Sequence, residues 1–275
     1  MIDKTFIIPT VTNVDGAVRT IETIYKYTKD FRIILIDNSD ENNYDKFKDT
    51  VHIYLKPYYN LGFAKSMNEG IRLADTEWLI LCNDDVEFIH KDWWENAIKH
   101  FETQKVKGGK PIAGVQIASI MDRNAEPRLP YKEEYTQEDW DKLVDWTDDT
   151  GVYGNAHLRD IVTESACMWC TITKREVIDE VGMFDEKFYP GGGEDYDWSR
   201  RVYMKNYRLI GVYDSWAVHH WGQTKDKYKQ LTGLPVREEL IWNGFEEKWG
   251  KGADVYGNEG RTMTYPKDNK RIQPL

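Results

Sequence analysis

Through the first half of the chain, short all-apolar runs alternate with amphipathic stretches. Thr5–Ile8, Arg32–Ile36, Val51–Leu55 and Trp78–Cys82 are runs of the kind that form strands buried on both faces. Between them, Val18–Tyr27 and Phe63–Ala74 space their apolar residues as helices do; Phe63, Met67, Ile71 and Ala74 share one face. This alternation predicts βαβ units and an α/β fold, with a mostly parallel central sheet flanked by helices. Asp92–Phe101 continues the pattern as a helix with Asp92 at its N-cap, and Ile112–Ile120 returns to strand.

The periodicity fails from Met121 to about Asp160. That stretch is acidic, contains Pro127 and Pro130, and offers at most one short helix over Gln137–Trp146. It reads either as an excursion over the sheet's active edge that grips an acceptor or as a decorative insertion. Regular pattern resumes with the strand Ala166–Thr173, the helix Lys174–Val181, the triplet Gly191–Gly193 and a helix from about Tyr196 to Lys205. Arg208–His219 reads as two short strands, 222–235 as a polar flap, and Val236–Trp249 as an amphipathic helix. The expected organisation is a single domain over residues 1–250, with 121–160 inserted and 251–275 a polar tail.

Composition narrows the class. A chain of 275 residues can bury a sizeable core. A formal net charge of −10 opposes binding to a nucleic-acid backbone, which needs a basic face. The basic cluster Lys105–Lys110 is read as a solvated loop, with contact to a phosphate or acidic glycan as the other reading. No apolar stretch is long enough to span a bilayer, and Thr5–Pro9 begins without a signal-peptide pattern. The three cysteines, Cys82, Cys167 and Cys170, make no disulfide framework. A reducing, cytoplasmic location is expected, with any membrane association made through the acceptor. Eleven Trp could pack on sugar rings, though core packing accounts for most of them.

Candidate chemistry gathers where apolar runs stop. Asn83-Asp84-Asp85 follows Trp78–Cys82 directly, and parallel sheets bind ligands at the carboxyl ends of their strands. Carboxylates there are hard oxygen donors suited to Mg²⁺ or Mn²⁺ shared with a phosphorylated substrate; a simple strand-ending turn is the plainer reading. Asp37 ends Ile33–Ile36 in the same way, and His219-His220 end Ser215–Val218. His219 could complete an oxygen-rich metal shell. Gly191–Gly193 lack the lysine of a nucleotide-phosphate loop and suit close backbone approach to a ligand instead. Glu194 and Asp195, which open a helix, are either caps or, through repulsion with Asp197, carboxylates raised toward the range of a general base.

These pieces resemble family 2 glycosyltransferases of the GT-A (Rossmann-like) fold, especially the rhamnosyltransferase-like branch. The matching segments run in order from Phe6–Thr10 and Ile34–Ser39 through Asn60–Ala64 with Asn68 and Gly70. They continue with Leu81–Asp85, Val181–Glu186, Gly193–Asp197 and His219–Thr224. The resemblance implies that Pro9, Thr10, Asn60, Gly62, Phe63, Asn68, Asn83, Asp84 and Thr224 line the nucleotide-sugar site. Asp37 would accept a base N–H, Asp85 and His219 would hold Mn²⁺ or Mg²⁺, and Asp195 would be the catalytic base beside Glu194. Asn83 stands where the family's DxD-type motif has its first Asp.

The implied reaction is an inverting transfer from a UDP-, dTDP- or GDP-sugar to a hydroxyl of a glycan, lipid-linked or protein-linked acceptor. Two other readings compete. A nucleotidyltransferase of similar fold would need a basic glycine-rich loop, but Thr10–Gly16 holds no Lys or Arg. A noncatalytic sugar-binding protein would have little use for Asp85, Asp195 and His219 together.

Overall fold

The four apolar runs of the first half are strands or contain them: β1 (Lys4–Thr10), β2 (Phe31–Asp37), β3 (Ile53–Leu55) and β4 (Trp78–Cys82). The computed structural model describes residues 2–103, 110–119, 161–162, 168–220 and 244–250. The excursion 121–160 with Gln137–Trp146, Cys167, the flap 222–235 with Thr224, residues 236–243 and the tail lie outside the described residues. The later strands are β5 (Val86–Phe88), β6 (Ile112–Ser119), β7 (Ile161–Val162), β8 (Cys170–Lys174) and β9 (Arg208–His219). Around them lie α1 (Val14–Tyr27), α2 (Tyr44–Phe47), α3 (Gly62–Leu73), α4 (Trp93–Thr103), α5 (Arg175–Val181) and α6 (Glu194–Met204). Residues 244–249 are also helical. No described helix is long and apolar enough to cross a membrane.

Among the described residues the strands form one sheet in the order β3-β2-β1-β4-β8-β6-β9-β5, with β7 paired to β9. β3, β2, β1 and β4 run parallel, as their helical crossovers require. The other half is mixed: β8 is antiparallel to β4 and β6, β6 is parallel to β9, and β5 and β7 are antiparallel to β9. The sheet, expected to be mostly parallel, is uniformly so only in its first half. An apolar run reports burial but not direction.

Strand alternation divides the core into two layers. Phe6, Ile8, Ile33, Leu35, Ile80 and Cys82 face one cluster, closed by Ala17, Ile21 and Ile24 of α1 and by Trp93, Trp94 and Ala97 of α4. Ile7, Ile34, Ile36, Leu79 and Leu81 face the other, covered by Met67 and Ile71 of α3 and by α5 and α6. Gly70 lets α3 press against β1, because a Cβ there would lie 2.2 Å from Ile7 Cγ2.

The short elements α2, β5 and β7 were not expected, and β9 differs from its expected form. β9 is one strand of twelve residues rather than two, since β6 pairs with it on both sides of the point where its own apolar pattern lapses. β5 is too short to show as a periodic run. Its backbone N–H groups at Val86 and Phe88 donate to Thr20 and Thr23 hydroxyls of α1, which satisfies this edge of the sheet.

His90, just beyond β5, accepts a hydrogen bond from the Trp216 backbone N–H at 3.1 Å and must be neutral to do so. Burial, partly opposed by Asp92 and Asp214, lowers its pKa from 6.5 to about 4. The unfolded chain takes up a proton below its ordinary value while the folded chain does not, so stability falls as pH drops from 6.5 to about 4. The effect is on the order of 3 kcal/mol. His90→Gln keeps an acceptor but cannot titrate; its melting temperature should change less across this window than that of the wild type. Parallel profiles would show that another group causes the acid loss.

Candidate active site

Strand order reverses at β1, which pairs with β2 on one side and β4 on the other. Such a switch point opens a crevice at the strands' carboxyl ends. Thr10 closes β1 there, and its hydroxyl donates to Asp84 Oδ2 at 2.7 Å, bridging β1 to the residues after β4. Pro9 precedes it in β1, opposite Ile36. Asn13 Nδ2 reaches the Asp84 carbonyl at 3.4 Å. Burial, and then the neighbouring Asp85 charge, push the Asp84 carboxyl up to about 8, against the pull of the Thr10 hydrogen bond.

Asp85 is brought to His219 by the β5–β9 ladder. Val86 faces His219 in register, and the His220 N–H donates to the Asp85 carbonyl at 2.9 Å. Asp85 Oδ1 lies 3.2 Å from His219 Nε2, and Asn83 Nδ2 lies 3.5 Å from the same nitrogen. The His219 ring is stacked on Trp169 with centroids 4.9 Å apart and planes at 8°, which sets its orientation. Asp85 Oδ1 is buried and accepts no hydrogen bond among the described residues. A buried carboxylate oxygen in that condition, with a second carboxylate adjacent, suits a cation.

No group of three or more His, Cys, Asp or Glu side chains placed to hold a metal occurs among the described residues. Asp85 and His219, 3.2 Å apart, are two adjacent groups that could each donate to a metal. That fits a hard divalent ion whose remaining ligands come from substrate phosphates and water.

Asp37 ends β2 beside Thr10 in register. Its carboxylate is fully buried and well supplied with donors. Oδ1 accepts the Ser39 N–H at 2.9 Å; Oδ2 accepts Tyr54 OH at 2.6 Å and Asn43 Nδ2 at 3.4 Å, with Lys56 Nζ 3.3 Å away. Burial alone would raise its pKa, but hydrogen bonds from Ser39 and Tyr54 and the Lys56 charge outweigh it and hold the group below its ordinary value. The same partnership, with burial leading, pushes the Tyr54 phenol well above its usual range.

A chain of polar contacts continues the edge toward α6. Asn38 N–H donates to the Thr10 carbonyl at 2.8 Å, its Oδ1 accepts the Leu61 N–H at 2.9 Å, and its amide donates to Ser66 at 2.9 Å. Asn60 Oδ1 accepts the Gly62 N–H at 2.8 Å. Gly62 has φ +74°, and a Cβ there would lie 2.9 Å from the Pro190 carbonyl, so this turn requires glycine. Phe63 N–H then donates to Pro190 O at 2.7 Å, seating the 190–193 loop on α3.

That loop leads into α6. Gly193, at φ +94°, occupies the N-cap position without any side-chain cap bond, so neither carboxylate is the N-cap. Glu194 Oε2 accepts the Gly192 N–H, and Asp195 Oδ1 accepts the Tyr196 N–H at 2.9 Å. Both are almost wholly buried. Asp197, expected to crowd them with like charge, is instead matched by Arg201 and Lys248.

The sequence-expected residues thus fall into connected groups. Thr10, Asn83, Asp84, Asp85 and His219 meet directly; Asp37 adjoins them through the β1–β2 register; Asn60, Gly62 and Phe63 link this edge to the loop before Glu194 and Asp195. Asn68 is placed differently. It is buried and exchanges two hydrogen bonds of 2.9 Å with the Phe184 backbone, tying α3 to the segment before Gly191. Tyr54 and Lys56 around Asp37, and Trp169 against His219, were not anticipated. The rule that flagged Asp37 would have found Lys56, since it directly follows β3. The Trp169 contact spans fifty residues of sequence and leaves no local signal.

Compared with known proteins, residues 5–182 match the family model described as glycosyl transferase family 2. Similar solved structures include the mannosyltransferase PcManGT from Pyrobaculum calidifontis in complex with GDP-Man and Mn²⁺, with TM-score 0.52 at 15% identity, covering 80% of this chain and 57% of that one. S. aureus TarS 1–349 gives 0.55 at 13% identity over 83% and 63%. GalNAc-T7 with UDP, GalNAc and Mn²⁺ gives 0.57 at 14% identity over 91% and 50%. At these identities the likeness is one of fold, and this chain spans between half and two thirds of each. No curated protein matches.

Proposed function

The chain belongs to glycosyl transferase family 2, and from that premise we propose that it is a metal-dependent, inverting glycosyltransferase using a nucleoside-diphosphate sugar. The observation that carries this reading is the switch-point group in which Thr10 holds Asp84 while Asp85 meets His219 and Asn83. The nucleotide lies along the carboxyl ends of β1 and β2, its base toward Asp37 and its diphosphate toward Asp85. Asp85 and His219 would hold the ion, and Thr10 keeps Asp84 turned toward β1. When bound, a divalent ion offsets negative charge on the departing diphosphate.

Asp195 accepts the proton of the acceptor hydroxyl as that oxygen attacks the anomeric carbon and the carbon–oxygen bond to the nucleoside diphosphate breaks. Attack opposite the leaving group inverts the centre, and no covalent intermediate on the protein is involved. Glu194 holds the Gly191–Gly193 loop. Proton removal contributes roughly 10²–10⁴-fold, and positioning and electrostatics supply the remainder.

The resemblance to rhamnosyltransferases makes dTDP-rhamnose the first donor to try, with a glycan hydroxyl, free or carried on lipid or protein, as acceptor. The test is a thermal-shift screen of UDP-, dTDP- and GDP-sugars with and without Mn²⁺. One base class should raise the melting temperature only with the metal, by the equivalent of about 2.7 kcal/mol at a hundredfold excess over Kd. A flat response to every nucleotide sugar, metal present, would overturn the donor assignment.

A further inference from the structure

The helix at residues 244–249 packs against α6 and the loop before it, the stretch that carries Glu194 and Asp195. Phe245 is fully buried with its ring against Tyr196, centroids 6.4 Å apart, and a Cβ on Gly244 would sit 3.0 Å from the Phe188 ring. Lys248 Nζ then bridges two carboxylates, donating to Asp185 Oδ2 at 2.7 Å and lying 2.7 Å from Asp197 Oδ1. Trp249 Nε1 donates to that same Asp197 oxygen at 2.8 Å.

Asp185 and Asp197 stand at the two ends of the segment that contains Gly191–Gly193, Glu194 and Asp195. One ammonium therefore closes the segment on itself. An ammonium suits this role because it is a compact charge with three donors, able to serve two carboxylates at once. Arg201 secures the base of the same segment, pairing with Asp197 Oδ2 while donating to the carbonyls of Val181, Gly182 and Met183.

We propose that Lys248 is a positioning residue, clasping Asp185 to Asp197 and so holding Glu194 and Asp195 where the acceptor is met. The inference rests on Asp195 acting as the base. Lys248 touches neither carboxylate of that pair. Its effect comes through the segment's shape, and an error near 1 Å in a reacting group costs about a hundredfold in rate. Asp197 keeps Arg201 and Trp249 when the ammonium is removed, so the fold survives its loss.

The experiment compares the full chain with Lys248→Met and Lys248→Arg by amide hydrogen exchange. It also compares them by turnover with the donor that the nucleotide-sugar screen selects. In Lys248→Met, exchange should accelerate by about tenfold or more over residues 183–197 while β1 and β4 keep their protection. kcat should fall by about tenfold or more with donor KM within about twofold, and Lys248→Arg should restore both. Unchanged exchange over 183–197, or equal acceleration throughout the sheet, overturns the clasp. Unchanged turnover in Lys248→Met overturns the positioning role when Asp195→Asn is inactive. Where Asp195→Asn is itself active, the base assignment has failed and hydrogen exchange alone decides the clasp.

Discussion

Asp195→Asn should remain folded and keep its affinity for nucleotide while kcat for sugar transfer falls by roughly 10²-fold or more. The substitution preserves size, and an amide oxygen can still accept the Tyr196 N–H that Asp195 Oδ1 accepts at 2.9 Å. What it removes is the carboxylate oxygen that would receive the acceptor's proton. If the carboxylate served only to hold the first turn of α6, Asn would serve nearly as well and transfer would survive. Single-turnover rates beside nucleotide titrations separate the outcomes, and near-normal transfer would move the base role to Glu194.

Asp85→Ala should abolish the metal-dependent part of nucleotide affinity. Loss even of groups that only orient a metal ligand costs 10–100-fold in metal affinity, so loss of a ligand should cost about 100-fold or more. The metal-free protein should behave in the opposite sense. Asp85 Oδ1 is buried, accepts no hydrogen bond among the described residues and sits beside Asp84, so removing it relieves like-charge repulsion. The metal-free melting temperature should hold or rise while the increment from Mn²⁺ with UDP or dTDP disappears. An undiminished increment would take Asp85 out of the metal site.

Much of this arrangement was legible because buried parallel strands are apolar throughout and stop abruptly. Thr10, Asp37 and Asn83 are the polar residues at which β1, β2 and β4 end or have just ended, and the fold sets them side by side. Asp85 and His219 were legible as strand-end groups for the same reason. Their meeting was not, because it depends on β5, three residues long, pairing with the far end of β9. β9 itself was read as two strands since Gly211 and Asp214 interrupt its apolar pattern, while its ladder with β6 resumes beyond them. Asn68 was marked by its motif, while its hydrogen bonds to the Phe184 backbone and the Glu186 carboxylate span more than a hundred residues and leave no local signal. Lys248 carried no signal at all, because both its partners belong to a distant part of the chain.

The place of β4 in the sheet also bears on how the protein is made. Its two edges are covered by strands of very different age: β1, already synthesised when β4 emerges, and β8, which begins only at Cys170. A nascent chain that has passed β4 but not reached β8 can assemble β3-β2-β1-β4 and bury one edge of Trp78–Cys82. The other edge, a run of five apolar residues with open backbone donors and acceptors, stays available to any neighbouring strand. Fragments ending before Cys170 should for that reason self-associate, and slow passage of the ribosome through residues 121–160 would lengthen the interval in which a chaperone has to shield that edge.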